Sequence, residues 1–303
     1  MIFNKVKLIT LCLLVLLTVS YGIGVYEHQP RNTKKLKDIP ENAPFSLNVA
    51  FEQLMYSYAA YCDLEEINSW TCPYCITDYN PNPVQIVQTM FHTFSNTFGF
   101  IAITGETIVM AFRGTQGISI KNWITDLNFP PTSPFPAFPA AKVHRGFLNA
   151  YLNVQNETIT GIKNALALCP NCNRFVATGH SLGGALAILA VADVFPTIID
   201  LPIDMYTYGS PRVGDVAFAE YFESTVLQNY WRVVNHHDIV PHLPTKDMGF
   251  YHLPIEVWFD GKNDTSYKIC DDSGEDPTCS DSVLIALDVA EHLDYLGIEK
   301  SEC

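Results

Sequence analysis

The sequence predicts an α/β fold built on a central, mostly parallel sheet with helices on both faces. Short apolar stretches typical of buried strands alternate with helical stretches through the middle of the chain, which is the pattern of a parallel sheet covered by helices. Of 303 residues, 48% are hydrophobic and 17% are charged, as in globular proteins. No linker or repeat interrupts residues 45–303, so we predict a single domain there.

The N-terminus is predicted to be a secretory signal peptide over residues 1–22. Lys5 and Lys7 precede Leu8–Val19, a mostly apolar run of 12 residues, and small residues follow it. A membrane-spanning helix needs about 20 apolar residues. We therefore expect cleavage and a secreted chain without a transmembrane segment, with an uncleaved anchor as the alternative. The polar and basic residues 23–44 are expected to form a flexible arm or a pro-segment.

The charge balance restricts the partners of the protein. The formal net charge is −14, and it becomes −16 when the two lysines of the signal peptide are removed. Such an acidic chain repels nucleic acid and offers no basic cluster to anionic lipids. Any membrane contact would therefore have to be apolar, and the oligomeric state stays open.

Individual elements are predicted along the chain in this order. Helical spacing is found at residues 49–60, and a hairpin of two buried strands follows at 98–103 and 108–112. Further strands are predicted at short apolar stretches, namely 174–178, 205–208, 231–234 and 255–259. Further helices are predicted at 182–194, between the strands 205–208 and 231–234, and at 283–292.

The strongest functional motif is Gly-His-Ser-Leu-Gly-Gly at residues 179–184, between a predicted strand and an Ala-rich helix. This is the context of a nucleophile elbow in the α/β-hydrolase fold. Ser181 would stand on a tight, strained turn that requires Gly179 and Gly183 beside it. The helix N-terminus favours an anion, which makes the Leu182 amide a candidate oxyanion donor. A chance match in a surface loop is the alternative, and the flanking strand and helix argue against it.

A serine nucleophile needs an acid and a histidine, which follow it in that order in this fold. Asp238 comes after an apolar strand and is the first choice for the acid, with Asp260 as the runner-up. Three histidines follow Asp238, namely His242, His252 and His292. The residues alone favour His292 only modestly, because it ends the last predicted helix near the C-terminus.

Cysteine usage agrees with secretion. One of the nine cysteines lies in the predicted signal peptide and an even number remains, for which disulfides are the default outside the cell. Three pairs are close in sequence and two cysteines are left over; the set is Cys72 with Cys75, Cys169 with Cys172, Cys270 with Cys279, and Cys62 with Cys303. This pairing is a hypothesis, because eight cysteines can pair in roughly 100 ways. A redox dithiol lacks the required strand and helix at Cys72, and a zinc site is disfavoured because the two Cys-x-x-Cys pairs are far apart.

Eight motifs, taken together and in order, resemble those of the class 3, fungal-type triacylglycerol lipase family of the α/β-hydrolase superfamily. They are Ala-Ala-Tyr-Cys at 59–62, Phe-Arg-Gly-Thr at 112–115, Asn-Trp-Ile-Thr-Asp-Leu at 122–127, Val-His-Arg-Gly-Phe at 143–147, Gly-His-Ser-Leu-Gly-Gly at 179–184, Tyr-Gly-Ser-Pro-Arg-Val-Gly-Asp at 208–215, Asp-Ile-Val-Pro-His-Leu-Pro at 238–244 and His-Leu-Asp-Tyr-Leu-Gly at 292–297. The resemblance runs from about Phe45 to Cys303. Any single motif is weak, but the set is specific.

The resemblance implies the roles of the site residues. Ser181 is the nucleophile, Asp238 the acid and His292 the base, which settles the choice of histidine. Thr115 becomes a second oxyanion donor beside Leu182, through its amide and its hydroxyl.

The resemblance also implies a lid and three of the disulfides. The segment after Thr115 is similar to the family's amphipathic lid helix, although it is longer here, and its apolar face would be formed by Ile118, Ile120, Trp123 and Ile124. The implied disulfides are Cys62–Cys303, Cys72–Cys75 and Cys270–Cys279. Cys169–Cys172 has no counterpart in the family pattern.

The expected function is that of a secreted serine ester hydrolase, above all a triacylglycerol lipase, that needs no cofactor and no metal. Its expected partner is a lipid ester at a lipid–water interface. A phospholipase or a feruloyl-type esterase with the same triad is the alternative. A catalytically silent binding protein is disfavoured by the complete triad. Asn156 and Asn263 begin Asn-x-Thr sequences and are candidate glycosylation sites.

Overall fold

An eight-stranded sheet forms the centre of the computed structural model and confirms the predicted fold class. In chain order the strands are β1 Val84–His92, β2 Thr97–Thr104, β3 Thr107–Phe112, β4 Pro131–Thr132, β5 Val143–His144, β6 Arg174–His180, β7 Ile203–Tyr208, β8 Asn229–Asn235, β9 Glu256–Phe259, β10 Tyr267–Ile269, β11 Asp294–Tyr295 and β12 Ile298–Glu299. The sheet order is β1-β2-β3-β6-β7-β8-β9-β10. Strands β3 and β6 to β9 are parallel, and β1, β2 and β10 add antiparallel edges.

The structure describes most of the predicted domain. The described residues are 44–80, 82–116, 130–135, 138–195, 197–226, 229–263, 265–283, 288–301 and 303. The predicted signal peptide, nearly all of the arm 23–44 and the four lid residues Ile118, Ile120, Trp123 and Ile124 lie outside them.

Helices cover both faces of the sheet. They are α1 Leu47–Ala59, α2 Leu64–Ser69, α3 Arg145–Leu152, α4 Gln155–Leu168, α5 Leu182–Val194 and α6 Val216–Thr225. The side chains of α3 to α6 enter one core on one face of the sheet, and those of α1 enter a second core on the other face. Helix α5 is buried on nearly every side, with 11 of its 13 residues buried, and this burial explains why all of its residues except Asp193 are apolar.

The predicted final helix at 283–292 is wrong for the residues that the structure describes. Asp288 instead forms an isolated parallel bridge with Asp238, and its carboxylate accepts the Ala290 amide N–H at 2.7 Å. An aspartate that bonds the backbone two residues further on competes with helix formation. A short 3₁₀ turn, Glu291–Leu293, follows and carries His292.

Four disulfides link the described cysteines: Cys62–Cys303, Cys72–Cys75, Cys169–Cys172 and Cys270–Cys279. These are the pairs that the sequence suggested. Two of them lie close to a glutamate, Glu66 or Glu256, but oxidised cysteines offer no thiolate to a metal. Within the described ranges, no helix has the length and apolar character needed to cross a membrane.

Candidate active site

Ser181 stands on the sharp turn between β6 and α5 that the sequence predicts. Its backbone has φ 61° and ψ −133°, a conformation that is costly for a residue with a side chain. A Cβ on Gly179 would lie 2.3 Å from the carbonyl carbon of Gly183, and a Cβ on Gly183 would lie 2.1 Å from the Phe112 carbonyl oxygen. Both glycines are therefore required by contacts with fixed backbone.

The two predicted oxyanion residues follow backbone positions at the nucleophile in the chain: Leu182 follows Ser181, and Thr115 follows Gly114, which packs against Ser181. Leu182 is the first residue of α5, where an amide N–H has no intrahelical partner and the helix dipole favours negative charge. The other residue, Thr115, is half-buried and follows Gly114. A Cβ on Gly114 would be only 2.6 Å from the Ser181 Cβ. The backbone at Gly114, just after β3, therefore packs closely against Ser181.

Asp238 is a fully buried carboxylate with three hydrogen-bond donors. Its Oδ2 accepts from His292 Nδ1 at 2.8 Å and from the Tyr295 hydroxyl at 2.5 Å, and its Oδ1 accepts from the Val240 amide at 2.8 Å. A charge that has been removed from water needs such partners. The aspartate lies in the turn that follows the end of β8 at Asn235, and its amide N–H donates to the Asn235 carbonyl at 2.9 Å.

His292 is oriented for proton transfer. Because Nδ1 donates to Asp238, the lone pair of the neutral ring is on Nε2. Within the described part of the chain, His292 Nε2 and Ser181 Oγ are both buried and neither has a hydrogen-bond partner. These two atoms are the ones that a Ser–His proton transfer joins. Of the other predicted histidines, His252 is committed to the Pro241 carbonyl at 2.6 Å.

A hydrogen-bonded chain that we did not predict connects the two halves of the site. His180 Nε2 lies 2.8 Å from the His292 carbonyl oxygen, and His180 Nδ1 lies 2.8 Å from the Tyr61 hydroxyl. A carbonyl only accepts, so Nε2 carries the proton and Nδ1 accepts from Tyr61. The Tyr61 oxygen in turn accepts the Gly114 amide N–H at 3.0 Å. Burial lowers the pKa of His180 well below its ordinary value, which keeps the ring neutral and this order of donors fixed.

The turn that carries His292 is held by the end of β8. Asn235 Nδ2 donates to the Glu291 carbonyl at 3.2 Å, to Glu291 Oε2 at 2.9 Å and to the Asp294 carbonyl at 2.7 Å. Sequence reasoning assigned no role to Asn235, Tyr295, Tyr61 or His180. The last three lie inside the recognised motifs, and their position there was the only signal.

Known lipases match this chain over a region that includes Ser181 and Asp238. Residues 109–248 match the family model described as Lipase (class 3). The lipase of Rhizomucor miehei is 37% identical over 240 residues, which cover 78% of this chain and 64% of that protein. A secreted mono- and diacylglycerol lipase of Fusarium solani is 32% identical over 260 residues, which cover 80% of this chain and 73% of that protein.

A solved structure agrees with the sequence matches. It is described as a triacylglycerol lipase whose catalytic centre is a serine protease triad; it superposes with a TM-score of 0.75 at 34% identity and covers 86% of this chain and 98% of the other. The chain thus spans somewhat less than two thirds of the Rhizomucor protein but nearly all of this solved domain. The chain belongs to the class 3 lipase family and has the α/β-hydrolase fold.

Proposed function

We propose that this chain is a secreted serine ester hydrolase that cleaves triacylglycerols through an acyl-enzyme on Ser181. The observation that carries the proposal is the buried arrangement of Ser181 on its strained turn, with His292 held by Asp238 and its free Nε2 available. The membership of the family and the lipases among its relatives support the substrate class.

The reaction is an acyl transfer in two steps. Ser181 Oγ attacks the ester carbonyl carbon while His292 Nε2 takes the hydroxyl proton, and Asp238 stabilises the resulting imidazolium. The amides of Leu182 and Thr115 bind the oxyanion, each contributing about 3 kcal/mol. His292 then gives its proton to the leaving alcohol. A water molecule that His292 deprotonates attacks the acyl-enzyme, which releases the carboxylic acid and restores Ser181.

The buried triad bears on the substrate. Ser181, Asp238 and His292 are each 0% exposed, so an ester reaches the serine only after part of the chain moves. The predicted lid residues Ile118, Ile120, Trp123 and Ile124 lie outside the described residues, and we assign the opening to that segment. Exposing its apolar face is less costly at a lipid surface than in water, and the proposal therefore includes activation at an interface.

Secretion forms part of the same proposal. Four disulfides in the described part of the chain are typical of proteins that fold in an oxidising compartment. They agree with the predicted signal peptide at residues 1–22.

Covalent labelling tests the activity. An alkyl phosphonate ester should form one adduct on Ser181 and abolish ester hydrolysis, and the Ser181→Ala variant should neither react nor hydrolyse. A folded protein that hydrolyses no ester and forms no adduct would contradict the proposal.

A substrate panel tests the substrate class and the lid. Tri-, di- and monoacylglycerols, a phospholipid and a feruloyl ester are compared at equal enzyme concentration, and triacylglycerols should be hydrolysed fastest. The rate on a short triacylglycerol should rise steeply where the substrate exceeds its solubility limit. A rate that stays flat through that limit would reject interfacial activation, while a preference for the feruloyl ester would reject the lipase assignment.

A further inference from the structure

The tip of the β1–β2 hairpin, residues 91–97, exposes aromatic side chains at the same end of the sheet as Ser181, where the parallel strands finish. Phe94 is 98% exposed and Phe91 is 52% exposed. Strand β2 is antiparallel to β3, and β3 is parallel to β6. The turn that joins β1 to β2 and the turn that follows β6 therefore project from the same end of the sheet, the end at which the parallel strands finish.

A direct contact connects this hairpin tip to the catalytic loop. Arg113 Nη2 donates to the Asn96 carbonyl at 2.9 Å and to Asn96 Oδ1 at 2.5 Å, and the next residue, Gly114, lies against Ser181. Strands β2 and β1 are two and three positions from β6 in the sheet. At about 4.8 Å per strand, the tip stands roughly 10–14 Å from the nucleophile strand.

The hairpin tip is a braced turn, so the exposure of Phe94 does not come from a lack of local structure. Ser95 Oγ is 2.8 Å from His92 Nδ1 and 2.8 Å from Thr97 Oγ1. Asn96 has φ 49°, which reverses the chain. Single exposed apolar residues are common on proteins, but here a hydrogen-bonded turn holds two phenylalanines, Phe91 and Phe94, largely exposed at the end of the sheet that carries Ser181.

We propose that the hairpin tip docks on a neutral lipid–water interface. Docking would turn the end of the sheet that carries Ser181 toward the lipid esters. The purpose of the docking rests on the proposed ester hydrolase function. Charge selects the occupant, because residues 91–97 contain no Asp, Glu, Lys or Arg in a chain of net charge −14. An anionic membrane or a second copy of the same acidic chain repels this protein at long range, whereas a neutral lipid surface does not.

Adsorption to lipid tests the docking without catalysis. The Ser181→Ala chain is mixed with a triolein emulsion coated with phosphatidylcholine, and the bound fraction is measured by sedimentation as lipid is increased. Adding Phe94→Ser should weaken adsorption about tenfold or more, the loss expected when a Phe side chain no longer leaves water. Leu168→Ser is the matched control and should change adsorption less than twofold. Leu168 is 59% exposed. It is the last residue of α4, shortly before β6 begins, and so lies near the opposite end of the sheet from Ser181.

Three outcomes would overturn the docking proposal. Equal adsorption of the Phe94→Ser and Leu168→Ser chains is the first. The second is binding that strengthens with phosphatidylserine and disappears in salt, since the contact would then be electrostatic. The third is loss of self-association without loss of lipid adsorption, which would assign the tip to a second copy.

The adsorption experiment and the activity experiment can fail independently of each other. Because the Ser181→Ala background carries no nucleophile, a failure of the unmodified chain to hydrolyse esters leaves the adsorption result intact. In the unmodified background, Phe94→Ser should keep the rate on a dissolved short ester within twofold while it lowers the rate on the emulsion.

Discussion

The serine half and the acid–base half of the active site are held in different ways. The serine half, residues 179–183, depends on backbone: two glycines let the turn close against itself and against Phe112. The acid–base half depends on side-chain hydrogen bonds between segments far apart in sequence, because His292 lies 54 positions after Asp238 and Tyr295 lies 57 positions after it. A short motif therefore specifies the first half, whereas only the complete fold specifies the second.

The difference predicts different failures. Damage to the serine half should appear as lost stability, because the contacts are steric and involve fixed backbone. Damage to the acid–base half should appear mainly as lost rate, because the orientation of one imidazole is at stake.

Replacing Asp238 with Asn should have the largest effect on rate. An amide in this position can donate to His292 Nδ1, which places the ring proton on Nε2 where a base needs its lone pair. We expect kcat on a dissolved ester to fall about 10³- to 10⁴-fold, with phosphonate labelling slowed to a similar extent. The thermal midpoint serves as the control for folding. A loss of less than tenfold would mean that Asp238 does not set the tautomer.

Replacing Gly183 with Ala should have the largest effect on stability. The added Cβ would meet the Phe112 carbonyl oxygen at 2.1 Å, and overlap with fixed backbone should cost about 3 kcal/mol of unfolding free energy or more. Gly105→Ala is the matched control, since Gly105 has φ 54° but no atom within 4 Å of its added Cβ, and it should cost about 1 kcal/mol. Urea denaturation measures both, and equal losses would reject the steric account.

Tyr61→Phe tests the hydrogen-bonded chain between the halves. Without the hydroxyl, the Gly114 N–H and His180 Nδ1 are buried without partners, which should cost about 1–3 kcal/mol of unfolding free energy. We expect kcat to fall about tenfold with KM little changed, because both the oxyanion loop and the His292 carbonyl lose a support. Tyr151→Phe removes a hydroxyl that bonds Asp193 at 2.6 Å away from the site. It should cost similar stability and leave kcat unchanged; a matching loss of kcat would make the role of Tyr61 purely structural.

The pH dependence of stability reports buried neutral histidines. Burial lowers the pKa of His180 and of His252 well below 6.5. The unfolded chain takes up protons there that the folded chain does not, so stability is complete above about pH 6.5 and falls below it, by about 1.4 kcal/mol per pH unit for each histidine. His180→Gln should remove one such contribution, so the free energy of unfolding should fall less steeply between pH 6 and pH 5. Its slope is compared with that of the unmodified chain, and an unchanged slope would show that His180 titrates normally.

The contrast between the halves also explains how far sequence could predict the molecule. The helix predicted at 182–194 has the observed bounds of α5, because an almost entirely apolar, Ala-rich helix directly after a buried strand is a strong local signal. Strand β1 was not predicted, because its burial pattern is mostly intermediate and gives no clear alternation. In the described residues 288–292, the predicted helix was wrong because a long-range bridge from Asp288 to Asp238 overrides local spacing.

Asp260→Asn should have the smallest effect, and it tests whether the structure separates Asp238, the first choice for the acid, from Asp260, the runner-up. Asp260 follows the end of β9 at Phe259. Its position at the end of a parallel strand is therefore similar to that of the proposed catalytic acid Asp238 after β8. Its carboxylate, however, accepts the Lys262 amide N–H at 3.2 Å and pairs with the Lys262 ammonium group. Surface pairs of this kind contribute little, and the carboxylate makes no hydrogen bond to a described histidine. The variant should retain kcat within twofold, and a loss comparable to that of Asp238→Asn would mean that Asp260 exchanges with Asp238 as the partner of His292.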